Sequence, residues 1–290
     1  MGSKKIADLA EQIKAQNAVI FEGAISAAGA LERGGSKVLK IIAKQGIDNR
    51  GALKVVSAAK AKNVEVVVLS PEEMREFEER MDSSGLYSLG RSHGGIFAVA
   101  EKRTFLTPEE LMRVLPKEQT YVSIAVIEGV EDPYNLGYAA RAVYTQGTDA
   151  LILPERDFGF SEATIEKAST GTFSKLPVAV FSKDKKDKSD KTALTNLLKG
   201  EGFTIYCIDK KAPANAKKAA AGIFGVKFAK RAVFVVGGEK RGISGEFLLE
   251  ADEIVAIPYA RPFSHSLAAQ TAATIVAYEI HRQRAENKNI

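Results

Sequence analysis

Three stretches of this 290-residue chain carry residue types and spacings suited to chemistry. The first, EDPYNLGYAARAVYTQG at 131–147, sets Asn135 and Arg141 in a polar turn and helix directly behind an apolar strand. The carboxyl edge of a parallel sheet, where a turn feeds a helix, is where α/β proteins place ligands. Asn135 suits the helix cap there; a plain cap and a surface arginine fit the same letters. The second stretch, FVVGGEKRGIS at 234–244, runs an apolar strand into Gly237, Gly238, Glu239, two basic residues and Gly242. Glycines after a parallel strand remove Cβ atoms and permit positive φ, which suits close approach of a ligand to backbone, or simply a turn that needs glycine. The stretch lacks G-x-G-x-x-G, and no acid follows at the right distance, so a nicotinamide dehydrogenase is poorly supported. The third, VAIPYARPFSHSLAAQTAATIVAYEI at 255–280, reads as strand, irregular loop and small-residue helix. Ser264 or Ser266 suits the cap of a helix beginning near Leu267. His265 is the right type for a base, but no carboxylate partner is identifiable in sequence, and a structural or exposed histidine fits as well.

These stretches need elements to hold them. From Tyr121 onward strand and helix alternate: VSIAVIEGV, NLGYAARAVYTQG, ALILP, SEATIEKAS, LPVAVF, a helix near 191–199, FTIYCID, then AVFVVGG and EIVAIP. That alternation predicts an α/β domain, a mainly parallel sheet with helices on both faces. In front, the pattern predicts helices over 3–15 and 18–31, a strand near VLKII, a helix over ALKVVSAAKAK, a strand over VEVVVL at 64–69 stopped by Ser70-Pro71, and a closing strand GGIFAVAE at 94–101. This is a small α/β sandwich. Thr107-Pro108 followed by Glu109 and Glu110 predicts a short linking helix that ends by Pro116. The domain boundaries are therefore 1–105, a linker over 106–119, and 120–290.

Charge and cysteine usage narrow the partners. Net charge is +5, and between Arg33 and Lys62 eight basic residues face one acid, Asp48. Arg33, Lys37, Lys40, Lys44, Arg50 and Lys54 are the candidates for phosphate contact, with a solvated face as the other reading of the same charges. PEEMREFEERMD at 71–82 reverses the sign, with six acids and two arginines at helical spacing, and reads as one solvated helix. The runs SKDKKDKSDK at 182–191 and KKAPANAKK at 210–218 read as exposed loops. A lone cysteine, Cys207, in an apolar strand excludes a disulfide framework and a zinc cluster. No apolar run approaches the ~18 residues of a membrane span, and MGSKKIADLAEQ turns polar too early for a secretory signal, so cytoplasmic residence is the expectation.

In order, spacing and letters, the three stretches together resemble the three motifs of the SpoU (TrmH-like) RNA 2′-O-ribose methyltransferases of the SPOUT superfamily, over roughly 120–282. VIFEGAISAAGALERGG and SHGGIFAVAE are similar to that family's accessory RNA-binding sandwich. The resemblance implies a C-terminal deep trefoil knot, S-adenosylmethionine as methyl donor, ribosomal or transfer RNA as acceptor, and a homodimer. It implies Asn135, Arg141, Glu239 and Ser266 as catalytic-site residues, Arg141 at the reacting ribose. Val236, Gly237, Gly238, Gly242, Ile257, Pro258, Ser266, Leu267 and Ala268 would hold the donor. One departure stands out: the family reads Ser-Leu-Asn where this chain has Ser266-Leu267-Ala268, with Gln270 and His265 nearby as substitutes. An RNA-binding protein that keeps the fold and has weak or no activity is therefore the alternative.

Overall fold

The computed structural model describes residues 2–32, 37–85, 87, 89–90, 93–117, 121–155, 162–181, 189–210, 220–238 and 241–287. They fall into two compact units, Met1–Thr104 with Asp157–Lys175, and Phe105–Arg156 with Leu176–Ile290.

The first unit holds α1 (Gly2–Ala15), β1 (Val19–Glu22), α2 (Gly23–Glu32), β2 (Val38–Lys44), α3 (Arg50–Ala61), β3 (Glu65–Leu69), α4 (Pro71–Ser83), β4 (Ile96–Ala100) and the separate helix Glu162–Ser169. Its sheet order is β1-β4-β2-β3, antiparallel except for the β2–β3 pair. Alternation along β4 explains the two layers. Phe97 and Val99 join Ile6, Ile13, Met74 and Phe77 of α1 and α4, whereas Ile96, Ala98 and Ala100 join Ala27, Ala30, Ala52 and Val55 of α2 and α3. Residues 19–22, which the pattern predicts as helix, form β1 instead: Val19, Ile20 and Phe21 are β-formers that pair with Ala100, Val99 and Ala98. Gly23, at φ +80°, then turns the chain into α2. The acidic helix α4 is solvated on one side only. Met74, Phe77 and Met81, spaced at helical intervals, are fully buried beneath it.

The second unit runs α5 (Pro108–Val114), β5 (Val122–Ile127), α6 (Pro133–Thr145) and β6 (Ala150–Pro154). After α7, the Glu162–Ser169 helix of the first unit, come β7 (Val178–Phe181), α8 (Ser189–Gly200), β8 (Thr204–Ile208), β9 (Ala221–Gly222), β10 (Arg231–Val236), α9 (Gly245–Glu250), β11 (Glu253–Ala256) and α10 (Ala269–Asn287). Thr107 caps α5 in a capping box with Glu110, as the sequence signals. The sheet order is β7-β6-β5-β10-β8-β11-β9, with every pair parallel. Val233 and Val235 join the core formed with α5, α8 and α9; the alternate residues Ala232, Phe234 and Val236 are buried too, and α10 packs on β10 and on α6. Both faces are thus covered, which is why the strands read as continuous apolar runs. The chain steps outward from β5 through β6 to β7, then crosses to β8 on the far side of β10. The carboxyl ends of β5 and β10 therefore flank the switch point where such sheets open a crevice. Short α9 and two-residue β9 carry no periodic signal of their own and were not legible in the sequence.

Candidate ligand cleft at the sheet edge

β10 leaves the sheet at Val236 and enters Gly237 and Gly238, which sit where no side chain fits. A Cβ on Gly237 would lie 2.1 Å from the carbonyl carbon of Gly242; one on Gly238 would lie 2.2 Å from the carbonyl oxygen of Gly129. The loop folds back on itself: Gly242, at φ +64°, donates its N–H to the Gly238 carbonyl at 2.9 Å. Glu128 fastens the exit of this loop. Its Oε2 accepts the Ser244 N–H at 2.9 Å, and its Oε1 lies 2.6 Å from Lys191 Nζ. The glycine stretch is therefore a tight floor, with backbone packed on backbone where side chains would stand.

The segment after β11 forms the opposite wall. Tyr259 OH accepts the Leu267 N–H at 3.0 Å, folding residues 259–267 into a closed turn. Lys210, just beyond β8, places Nζ 4.2 Å from the centre of the Tyr259 ring and donates to the carbonyls of Phe263 and His265. A cleft opens at the carboxyl ends of β8, β10 and β11. Val236, Gly237, Gly238, Gly242, Ile257, Ser266 and Leu267 all line it, together with Ile208, Asp209, Lys210, Ile243 and Tyr259. The walls mix apolar residues with the polar groups of Asp209, Lys210, Tyr259 and Ser266. Such a mixture suits a flat organic ligand with a few polar handles. Beneath it Cys207 is fully buried, its Sγ 3.4 Å from the Phe247 carbonyl, and desolvation lifts its thiol pKa far above the ordinary value. It is an inert core thiol.

The other sequence candidates fall elsewhere. Pro258 and Ala268 belong to the same wall but do not line the cleft; the Ala268 carbonyl accepts the N–H groups of Thr271 and Ala272 and starts α10. Asn135 is not the cap of α6. Asp132 holds that position and accepts the Asn135 N–H at 2.8 Å, because Pro133 fits the first helical position and fixes the cap one residue before it. The Asn135 side chain instead accepts from Gln270 Nε2 of α10 at 3.4 Å. Arg141 stands exposed on α6, two turns from the helix start and outside the cleft lining. Ser264 does not cap α10 either: its Oγ lies 3.0 Å from His265 Nδ1 on an exposed turn. Glu239 lies outside the described residues, as do Arg33, 182–188 and 211–219.

Lys40 needs correction as an RNA contact: its side chain is 8% exposed and pairs with Gln12 Oε1 at 3.0 Å and Glu65 at 3.6 Å. β2 is covered on both faces, and Lys40 lies on the α1 side with Ile42. Lys37, Lys44, Arg50 and Lys54 are exposed. Lys37 and Lys44 lie seven residues apart along an extended strand, about 23 Å at ~3.3 Å per residue, so the basic stretch is not one compact patch. Sequence reasoning missed Asp209, Tyr259 and Glu128, and read Lys210 only as part of an exposed loop open to phosphate contact. Three of the four stand just past the end of a parallel strand, the position that could have flagged them. Among the described residues no His, Cys, Asp or Glu cluster is arranged for a metal ion, and no helix is long and apolar enough to cross a membrane.

A parallel α/β sheet with a glycine-floored cleft at its carboxyl edge defines a ligand-binding protein of the open-sheet class. The chain belongs to the SpoU rRNA Methylase family, whose model matches residues 123–278, more than half its length. It is 25% identical over 251 residues to a Staphylococcus epidermidis protein described as a TrmH family tRNA/rRNA methyltransferase, covering 86% of this chain and 90% of that one. It is 23% identical over 270 residues to the Xanthomonas campestris 23S rRNA (guanosine-2′-O-)-methyltransferase RlmB, covering 90% and 95%. Among solved structures, the SpoU methyltransferase AviRb from Streptomyces viridochromogenes in complex with AdoMet superposes with a TM-score of 0.70 at 18% identity, over 96% of this chain and 98% of that one. The fold is therefore that of the SpoU methyltransferases.

Proposed function

We propose that this protein transfers a methyl group from S-adenosylmethionine to a ribose 2′-hydroxyl of ribosomal or transfer RNA. The observation that carries the reading is the cleft itself. Two separate motifs, 236–242 and 257–267, meet around one cavity whose floor excludes side chains, inside the segment that matches the methylase family. The residues present fit the donor: Ile208, Ile257 and Leu267 offer apolar walls for an adenine, and Asp209, Ser266 and the backbone of Gly237 and Gly238 line the same cavity. A C-terminal trefoil knot through this cleft belongs to the same proposal. When bound, the donor supplies an electrophilic methyl group. The chain's part is to hold acceptor and donor at attack distance, which supplies most of the acceleration. A guanidinium is a poor base, so the role of Arg141 is to stabilise charge developing on the acceptor oxygen. Because Arg141 lies outside this chain's own cleft, we assign it to the site of a second copy in a homodimer. The first unit, with Lys37, Lys44, Arg50 and Lys54 exposed, is assigned to RNA binding, and the protein to the cytoplasm. Ala268, with no polar side chain, favours a second reading: a binder of RNA with weak or no transfer. Calorimetric titration with S-adenosylmethionine, followed by tritiated methyl transfer to bulk RNA, separates the two. Donor binding without transfer supports the second reading, and neither result defeats both.

A further inference from the structure

We infer that Phe263 is a stacking platform for an unpaired base of the RNA substrate, held at the rim of the cleft by Lys210. The inference rests on the RNA methyltransferase reading above. Phe263 is 56% exposed, although a phenylalanine on an irregular turn gains nothing from water. Its ring meets those of Tyr259, centroids 6.0 Å apart, and His265 at 5.5 Å, each tilted by 51°. Both tilted contacts leave ring surface open to solvent. Lys210 fixes this arrangement: its ammonium donates to the carbonyls of Phe263 and His265 and lies over the Tyr259 ring at 4.2 Å and the Phe263 ring at 5.9 Å. The turn is thereby tied at its far end by Lys210 and at its base by the Tyr259 hydroxyl on Leu267. An aromatic held rigid and bare beside a cation, with exposed Arg261 in the same turn, has the chemistry that takes a flat, anionic-backboned ligand. Sequence-tolerant recognition of single-stranded RNA uses aromatic faces with nearby cations in this way. Tyr259 and Lys210 also line the cleft, so a base stacked on Phe263 would lie next to the nucleotide presented to the donor. Phe263 is thus a substrate-positioning residue, and Lys210 positions it.

The chain contains no tryptophan, so Phe263→Trp installs a single indole reporter on the platform. The probe is a single-stranded oligoadenylate of about a dozen nucleotides, with an abasic oligomer of equal length as control. Emission quenched by the oligoadenylate and not by the abasic oligomer supports the inference. Phe263→Ala should then weaken oligoadenylate binding roughly 5- to 150-fold, the range of one lost base–aromatic stack, with melting temperature and S-adenosylmethionine affinity unchanged. Phe263→Tyr should restore binding where Phe263→Leu does not. Lys210→Met should cost less RNA affinity when added to Phe263→Ala than when made alone, since the two residues share one platform. Unchanged indole emission while labelled RNA binds by anisotropy overturns the inference and leaves the RNA reading standing. Quenching by S-adenosylmethionine alone would give the ring to the donor's adenine, and overturns it as well. No RNA binding by any measure overturns both.

Discussion

Gly238→Ala tests the cleft floor most sharply. The added methyl would lie 2.2 Å from the Gly129 carbonyl oxygen and 2.6 Å from its carbon, and side-chain carbons do not approach other atoms within 3.0 Å, so the two backbones must part by about 0.8 Å. Neither can yield cheaply. Gly129 is fixed at φ +81°, and its neighbour Glu128 is bonded to Val236 at 2.8 Å and to Ser244 at 2.9 Å. Overpacking of this kind costs about 1–3 kcal/mol, a drop in Tm of roughly 2–4 °C per kcal/mol in a chain of this size. The same shift deforms the floor, and a misplacement of order 1 Å is enough for ~100-fold loss of function. S-adenosylmethionine affinity by calorimetric titration should therefore fall at least about tenfold, on the same scale. Gly147→Ala, behind α6 and outside the cleft lining, is the control, because its Cβ meets nothing within 4 Å while its φ of +77° strains any side chain. That strain costs about 1–2 kcal/mol, so Tm should fall comparably, with donor affinity held within about threefold, under 1 kcal/mol. Wild-type donor affinity in Gly238→Ala, or equal losses in both variants, would refute the floor as the holding surface.

Arg141→Ala should lower single-turnover methyl transfer by about 100-fold or more, as for a lost oxyanion donor, with donor affinity intact; wild-type turnover would remove Arg141 from the mechanism. Lys44→Glu and Lys54→Glu should each flatten the log–log salt dependence of RNA binding by ~0.7–0.9. Lys40→Met, buried against Gln12 and Glu65, should leave that slope alone, and an equal change would contradict its inward placement. Hydrogen bonding from Arg282 first, then from Gln283, holds the Glu279 carboxyl below its ordinary 4.5. A lowered carboxylate stabilises above the unfolded pKa and loses that contribution as pH falls through the folded one. The Tm gap between wild type and Glu279→Gln should therefore be widest near neutrality and close in acid, and a gap that widens in acid would reverse the assignment.

Much of the second unit was legible because both faces of its parallel sheet are buried: continuous apolar runs such as VSIAVI and AVFVV announce strands, and the glycines after Val236 announce a backbone-lined turn. The positions that failed are those where neighbours decide. VIFE at 19–22 became a strand because β4 pairs with it. Met74, Phe77 and Met81 were outnumbered by acids in composition, yet their spacing put them on one buried face. Lys40 shares a basic stretch with Lys37 and Lys44, but its place on β2 turns it toward Gln12. The partners of the cleft wall, Lys210 with Tyr259 and Tyr259 with Leu267, are 49 and 8 residues apart in a chain whose loop geometry no local pattern encodes.

Transfer of the methyl group to a ribose 2′-oxygen can be measured directly. RNA from cells lacking this protein is incubated with the purified protein and tritiated S-adenosylmethionine, then hydrolysed in alkali. A methylated 2′-oxygen cannot attack the adjacent phosphate, so ribose methylation leaves tritium in alkali-resistant dinucleotides. Tritium in mononucleotides, which places the methyl on a base, or no incorporation despite donor binding, would contradict it.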